Sequence, residues 1–225
     1  MLPYDETSRL LAAYGITLVG GALVSTVEEA GAVAEQYIGR DGVGAGHGAC
    51  AVKLISALHT HKSDKGFVAL GLRNRQEVEA ACRDMLARLE PDEGFEGLLV
   101  QPMIRFDREL ILGAQIDGQF GPIVAFGPGG VLVDLLGGVD FLAAPFSRAE
   151  AVAFIGRNAV LPLLGSFRGT AAAKLDALAG YLVSMGFLIS ENADRIVSVD
   201  INPLVVVSPD GTLVALDFRA EGRSA

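Results

Sequence analysis

The sequence predicts an α+β protein made of two lobes that join near residue 98. Helix-like and strand-like segments alternate up to about Gly97, and consecutive strands, two helices and a closing hairpin follow. The chain has 225 residues, of which 51% are hydrophobic and 20% charged, so it has enough apolar material for substantial cores. We therefore expect one lobe over residues 1–98, a second over residues 99–225, and a cleft between them.

Charge and cysteine content argue against several classes of protein. A net charge of -9 makes a nucleic-acid-binding role improbable. Cys50 and Cys82 fit no metal-binding spacing, and free thiols are typical of the reducing cytoplasm. The uncharged run 10–27 is interrupted by glycines and follows Asp5 and Glu6, which argues against a signal peptide or a membrane helix. We expect a soluble, cytoplasmic protein.

The first elements are predicted from signals at their ends. The segment RLLAAYG is typical of a short helix closed by Gly15, and ITLVGGALVS is typical of a strand. A capping box from Ser25 to Glu28 predicts the start of a second helix, which ends at Gly39. A glycine-rich loop then leads to two strands, ACAVKLIS and FVALGL.

The remaining helices and strands are predicted from the same kinds of signal. A second capping box, Asn74 to Glu77, predicts another helix, and a third, Ser147 to Glu150, predicts a helix after the central strands. One more helix is expected within residues 171–190. The central strands are GLLVQPMI, RELILGAQID and GPIVAFGPGG, and the closing hairpin is RIVSVDINPLVVV, SPDG and TLVALDF.

Lys53 is the first candidate functional residue. It lies in the middle of the apolar strand ACAVKLIS, where an unpaired buried ammonium would be costly. Its side chain therefore needs a partner. A phosphate of a bound ligand and a structural carboxylate both fit this requirement.

The closing hairpin brings polar residues together. Strand alternation puts Asp200 and Asn202 on the same face. A tight turn centred on Pro209-Asp210 would place Asn202 opposite Asp217. The same register would place Asp200 opposite Arg219.

An asparagine and an aspartate facing each other across two strands can hold Mg²⁺ bridged to nucleotide phosphates. Asn202 and Asp217 are therefore candidate metal ligands. A bulge at Gly211 would shift the register by one residue and separate them. A polar outer face on an edge hairpin is the competing interpretation.

Two further features allow more than one interpretation. The glycine turn FGPGGVLVD, residues 126–134, can present backbone N–H groups to an anion, although most such clusters are plain turns. Glu109, a lone charge in the strand RELIL, can accept hydrogen bonds from a ribose or face solvent.

The segment HTHKSDKGF, residues 59–67, is dense in polar side chains between two apolar strands. His59 and His61 have no third metal ligand nearby, which argues against zinc. The segment can donate to phosphates or present an imidazole nucleophile. A solvated hairpin tip would explain the composition equally well.

Taken in order, these stretches resemble the ATP-grasp domain of NDP-forming acyl-CoA synthetases, a family that includes ADP-forming acetyl-CoA synthetase. HKSD, QFGP, FGPGG and DINPL carry the resemblance together, and matching stretches span almost the whole chain in the family's order. The resemblance implies an ATP-grasp fold, with two α+β lobes and the nucleotide cleft between them.

The family's reaction interconverts acyl-CoA, ADP and phosphate with the carboxylic acid, CoA and ATP. It passes through an acyl phosphate and a phosphorylated histidine. The resemblance covers only the nucleotide-binding part of such enzymes, so it implies a partner, a CoA-binding α-type subunit, and a hetero-oligomer. ATP or ADP and Mg²⁺ are the implied cofactors.

The resemblance also implies a role for each candidate residue. Lys53 would contact the nucleotide phosphates, and His61 would match the relay histidine. Asp200 would orient the incoming phosphohistidine, and Asn202 and Asp217 would hold Mg²⁺. The other implied nucleotide-binding positions are the VQPM backbone around the adenine, the ribose-binding glutamate and glycines of the loops: Gly66, Val100, Gln101, Met103, Glu109, Gly129 and Gly130.

Four positions depart from the family pattern: Phe67, Pro102, Ser198 and Leu142. Phe67 stands at a glycine position, where its ring would fill space close to the phosphates. These departures leave a second interpretation, a non-catalytic ATP-grasp module with an assembly or regulatory role. A self-contained ligase that joins a carboxylate to an amine is a more distant alternative, because such enzymes usually carry a further N-terminal domain.

Overall fold

The computed structural model of the chain describes residues 1–39, 45–56, 66–91, 94–130, 132, 138–166 and 169–223. Within these ranges, helices are combined with antiparallel sheets, so the predicted α+β class is confirmed.

The chain divides into two compact units at positions that differ from the predicted lobe boundary. The smaller unit is Val19–Arg105, and the larger unit combines Met1–Leu18 with Phe106–Ala225. The expected break near residue 98 falls inside a strand that runs to Ile104. The first residues belong to the larger unit because the N-terminal segment pairs with the end of the chain.

The smaller unit is a four-stranded antiparallel sheet with two helices packed on one face. Its elements are β1 (Ala22–Val24), α2 (Val27–Ala34), β2 (Ala45–Ser56), β3 (Val68–Leu72), α3 (Arg75–Arg88) and β4 (Phe95–Ile104). The strand order is β1-β4-β2-β3. Alternate residues of β2 and β4, among them Val52, Leu54 and Leu98, form one core with the helices.

The second helix of the chain, α2, begins one residue later than predicted. The capping box joins Thr26 and Glu29, not Ser25 and Glu28: Glu29 N donates to Thr26 Oγ1 at 3.2 Å, and Thr26 N donates to Glu29 Oε2 at 3.0 Å. The prediction was wrong because both Ser25 and Thr26 have a glutamate three residues later. The helix also ends at Ala34, before the predicted glycine.

The larger unit is built on a six-stranded antiparallel sheet. Its helices are α1 (Tyr4–Ala13), α4 (Arg148–Arg157), α5 (Leu161–Leu164) and α6 (Leu175–Glu191). Its strands are β5 (Phe106–Asp117), β6 (Gly121–Pro128), β7 (Asp140–Ala143), β8 (Ile196–Val207), β9 (Leu213–Ala215) and β10 (Phe218–Gly222). The order is β10-β8-β5-β6-β7, and β9 also pairs with β8.

One face of the larger sheet carries the apolar core. Leu110 and Leu112 of β5 and Val199 and Ile201 of β8 are buried with residues of α4 and α6. The opposite face, which we call the polar face, takes the alternate residues of the same strands. Although α6 is largely buried, no helix within the described residues has both the length and the apolar character needed to cross a bilayer.

The N-terminal strand prediction is only partly correct. Of the segment ITLVGGALVS, only Ala22–Val24 forms a strand. A β-carbon at Gly21 would lie 2.8 Å from the Val100 carbonyl oxygen and 2.7 Å from Gln101 Cγ. Glycine is therefore required where this segment runs against β4.

Both cysteines are free and buried in the core of the smaller unit. Burial raises the pKa of each thiol, Cys50 and Cys82, to about 11, so both are protonated near neutral pH. We expect the native protein to react only slowly with iodoacetamide near neutral pH, and the urea-unfolded chain to react at both positions. Mass spectrometry of the alkylated protein measures this, and fast labelling of either thiol in the native state would contradict it.

Candidate functional site

The strand β8 carries the polar residues of the candidate site on one side. Val199 and Ile201 are fully buried in the core, whereas Asp200 is half-buried and Asn202 is exposed. The predicted alternation is therefore confirmed.

The register of the closing hairpin is also confirmed. Asn202 N donates to the Asp217 carbonyl oxygen at 3.0 Å, and Asp200 pairs with Arg219. Val207 N donates to the Thr212 carbonyl oxygen at 2.8 Å, which closes a four-residue turn centred on Pro209-Asp210. Asn202 and Asp217 therefore lie opposite each other, as predicted.

Within that turn, Gly211 adopts a φ of 71°, a conformation that glycine tolerates. No register shift occurs there, because the pairs Val206–Leu213 and Arg219–Asp200 belong to the same register.

Asn202 and Asp217 suit Mg²⁺ because they offer one amide oxygen from β8 and one carboxylate oxygen from the link between β9 and β10. Asp217 is half-buried, and its Oδ1 accepts a hydrogen bond from Phe218 N at 3.0 Å. Within the described residues, no group of three or more His, Cys, Asp or Glu side chains could hold a metal by itself. This pair therefore fits an ion that takes its remaining ligands from phosphates and water, as Mg²⁺ commonly does.

The Asp200 carboxylate is held between two strands. Its Oδ2 accepts from Arg219 Nε at 3.3 Å. On the other side it lies over Gly113 of β5, where a β-carbon would be 3.0 Å from Asp200 Oδ1. The carboxylate thus has a defined direction on the polar face.

Glu109 and the glycine turn, which were separate candidates in the sequence, are neighbours. Gly129 N donates to the Glu109 carbonyl oxygen at 2.9 Å. A β-carbon at Gly130 would lie 2.6 Å from Glu109 Oε2, and Gly130 has a φ of 56°. The glycines therefore let the turn approach the glutamate side chain closely.

In the smaller unit, Lys53, Gln101 and Met103 share the sheet face opposite α2 and α3. Lys53 is only 9% exposed and Gln101 only 2%. Gln101 Nε2 is buried and has no hydrogen-bond partner within the described residues. A buried amide of this kind is costly unless a ligand or water satisfies it.

The Val100 side chain lies in the core of the smaller unit, so only its backbone could contribute to a site. Strand β1 pairs with β4 only as far as Val100. Within the described residues, β4 therefore has no strand on that side from Gln101 onward. This leaves the backbone from Gln101 to Met103 without a neighbouring strand on that side, as adenine recognition through backbone groups would require.

Two predictions concern the loop between β2 and β3. His61 lies outside the described residues. Gly66 has a φ of 71°, and its carbonyl oxygen accepts from Arg88 Nη1 at 2.9 Å. Gly66 thus has a structural reason to be glycine beside its predicted binding role.

Phe67 does not fill space at a ligand site. Its side chain is fully buried in the core of the smaller unit, in the cluster that includes Cys82 and Met85. The expectation that its ring would crowd the phosphates is therefore wrong. The main ground for a degenerate module is removed.

The three other residues that depart from the family pattern are compatible with their positions in the fold. Pro102 lies beyond the last residue pair between β1 and β4. Although a proline has no N–H to donate, no hydrogen bond to β1 is lost at this position. Leu142 packs against the core of the larger unit from β7. Ser198 lies on β8 opposite Gln115 and Glu221.

Sequence reasoning missed Arg108, whose side chain is only 11% exposed. Its Nη1 donates to the carbonyl oxygens of Leu163 at 2.6 Å and Gly165 at 2.7 Å, and its Nη2 donates to that of Ala171. It therefore holds the segment between α5 and α6. The argument applied to Lys53 does not identify it, because Arg108 lies between Asp107 and Glu109 and not in an apolar run.

Tyr4 was also missed. Its ring stacks on Phe218 with centroids 5.1 Å apart. Burial, together with the carboxylates of Asp217 and Asp5, raises the pKa of the Tyr4 phenol, so it stays protonated. Nothing local in the sequence signals this contact, because Tyr4 and Asp217 lie at opposite ends of the chain.

Comparisons with known proteins agree with this geometry. A family model described as an ATP-grasp domain matches residues 1–221. The β subunit of acetate–CoA ligase (ADP-forming) I from Pyrococcus furiosus is 31% identical over 217 residues, which cover 95% of this chain and 88% of that subunit.

Solved structures are similar to the chain at a comparable sequence identity. Acetyl-coenzyme A synthetase 1 from Candidatus Korarchaeum cryptofilum, in complex with coenzyme A and Ca-AMPCP, has a TM-score of 0.85 and 32% identity, covering 97% of this chain and 92% of that one. Another structure of that synthetase contains coenzyme A and Mg-AMPPCP, with a phosphohistidine segment pointing towards its nucleotide binding site. It has a TM-score of 0.78 and 30% identity, covering 99% and 92%.

Proposed function

The chain belongs to the ATP-grasp family, and we propose that it is the nucleotide-binding, phosphoryl-relaying subunit of an ADP-forming acid–CoA ligase. The reaction is acyl-CoA + ADP + phosphate ⇌ carboxylic acid + CoA + ATP, and in the direction of thioester synthesis it forms a carbon–sulfur bond. Two of the relatives, 30% and 31% identical to the chain, are β subunits of ADP-forming acetate–CoA ligases.

One observation carries the proposal more than any other. The β8 hairpin sets Asn202 against Asp217 and places Asp200 one residue pair away on the same face. Metal-assisted phosphoryl transfer to a nucleotide needs oxygen ligands for the metal, which Asn202 and Asp217 can supply. Asp200 adds a further carboxylate with a defined direction.

Asn202 and Asp217 would hold Mg²⁺. When bound, the ion neutralises charge on the nucleotide phosphates during transfer. Tyr4, whose phenol stays protonated because burial and the Asp217 carboxylate raise its pKa, adds no charge near this pair.

The nucleotide would be bound by the following candidate residues. Lys53 would contact the phosphates, because a nearly buried ammonium is well suited to an anionic ligand. The VQPM edge, which includes Val100, Gln101 and Met103, would contact the adenine, and Gln101 Nε2 is a donor without a partner among the described residues. Glu109 would accept hydrogen bonds from the ribose, beside Gly129 and Gly130.

The relay step is assigned to His61 and Asp200. A nitrogen of the His61 imidazole would take the phosphoryl group from a phosphohistidine of the partner and pass it to an oxygen of ADP. Asp200 would orient the incoming imidazole by accepting its N–H. The partner would be a CoA-binding α-type subunit in a cytoplasmic hetero-oligomer.

The nucleotide site is tested by calorimetric titration of the chain with ADP, with and without Mg²⁺. We expect binding that depends on Mg²⁺ and that Asn202→Ala weakens by about tenfold to a hundredfold, the scale of one hydrogen bond to a charged group. Gln115→Ala is the matched control, because Gln115 is an exposed amide on the same sheet face. Absence of heat with the wild-type chain under both conditions would refute the nucleotide site.

A further inference from the structure

Arg219 is a basic side chain on the polar face that the proposed mechanism leaves unused. Its Nε donates to Asp200 Oδ2 at 3.3 Å, and its side chain is 41% exposed. A guanidinium has five N–H donors, of which Nε carries only one. The pair with Asp200 therefore leaves both terminal nitrogens with donors for another acceptor.

The position of Arg219 relates it directly to the predicted metal ligands. Arg219 follows Asp217 by two residues, and Phe218 between them turns into the core, where it is 6% exposed. Arg219 therefore projects from the polar face, and Asp217 directly precedes β10. The pair Arg219–Asp200 is next to the pair Asp217–Asn202 on that face.

The charge on this face is otherwise unfavourable for phosphate. Glu109, Asp200 and Asp217 are acidic, and the whole chain carries a net charge of -9. A phosphoryl group in transfer needs positive groups around its oxygens. Arginine is well suited because its planar fork can donate to two phosphoryl oxygens at once.

We propose that Arg219 binds the terminal phosphoryl group, the group being transferred, through its two terminal nitrogens. Asp200 fixes the other side of the guanidinium, and Gly113 leaves room for the Asp200 carboxylate. The inference rests on the proposed nucleotide site and adds a phosphoryl ligand to it. Arg219 should therefore discriminate a nucleoside triphosphate from a diphosphate.

The test compares two affinities in the presence of Mg²⁺: that for ADP and that for an ATP analogue with a β,γ-methylene bridge. We expect Arg219→Gln to weaken binding of the analogue by about tenfold relative to ADP, the scale of one charge-assisted contact. Arg219→Lys should recover part of this loss. Arg195→Gln is the matched control, since Arg195 is a 62% exposed arginine of the same unit, paired with Glu6 at 3.1 Å.

Each outcome separates this inference from the proposed function. An equal loss for both ligands in Arg219→Gln and Arg219→Lys would mean that Arg219 only supports the fold or the metal site. An unchanged ratio would mean that Arg219 does not contact the terminal phosphoryl group. Failure of the wild-type chain to bind either nucleotide would overturn the proposed function, and this inference with it.

Discussion

Replacing His61 by asparagine is expected to abolish phosphorylation of the chain by ATP while leaving nucleotide binding intact. In this half-reaction an imidazole nitrogen attacks the terminal phosphorus. The N–P bond forms, the bond between that phosphorus and the bridging oxygen breaks, ADP leaves and the imidazole proton is released. Without the imidazole no covalent intermediate can form, so we expect a loss of about a thousandfold or more, as for other essential nucleophiles.

The half-reaction can be measured on the chain alone with radiolabelled ATP. Phosphohistidine is labile in acid and stable in alkali, which distinguishes it from a phosphoserine. His59→Asn is the matched control, because His59 is the other histidine of the same H-x-H pair. Label that persists in His61→Asn and disappears in His59→Asn would transfer the relay role to His59.

Replacing Phe67 by alanine is expected to destabilise the smaller unit by about 3–5 kcal/mol, the usual cost of removing a buried phenylalanine ring. The ring is fully buried, and the Phe67 carbonyl oxygen accepts from Leu54 N at 2.9 Å. Its loss leaves a cavity beneath α3. Urea unfolding followed by circular dichroism measures the change.

Phe120→Ala is the matched control for this substitution, since Phe120 is 69% exposed. We expect a change of about 0.5 kcal/mol or less there. If Phe67 instead blocked a nucleotide site, a smaller side chain would strengthen ADP binding without loss of stability. That result would restore the interpretation as a degenerate module.

The closing hairpin could be predicted from the sequence because its signals are local. Four turn residues, Ser208 to Gly211, lie between two apolar strands, so the centre of the turn fixes the cross-strand pairs as far as Ser198–Glu221. Strand alternation then assigns faces. The facing of Asn202 and Asp217 needed no information from elsewhere in the chain.

The burial of a side chain and its contacts with distant parts of the sequence could not be predicted in the same way. The position of Phe67 after a polar loop suggested a ligand site, but burial depends on α3, which packs over it from further along the chain. Arg108 finds its acceptors in the segment 163–171, and nothing in its own strand indicates them. The lobe boundary was misplaced because β4 continues to Ile104 before the chain changes unit.

The division of the chain has a consequence for its synthesis. The smaller unit is one uninterrupted stretch, Val19–Arg105, and it can fold as soon as it has left the ribosome. The larger unit contains both ends of the chain, and Leu2 N donates to the Ala220 carbonyl oxygen at 2.8 Å. Helix α1 therefore cannot reach its packed position until β10 has been made, and a chain cut short before Phe218 would leave α1 without that strand.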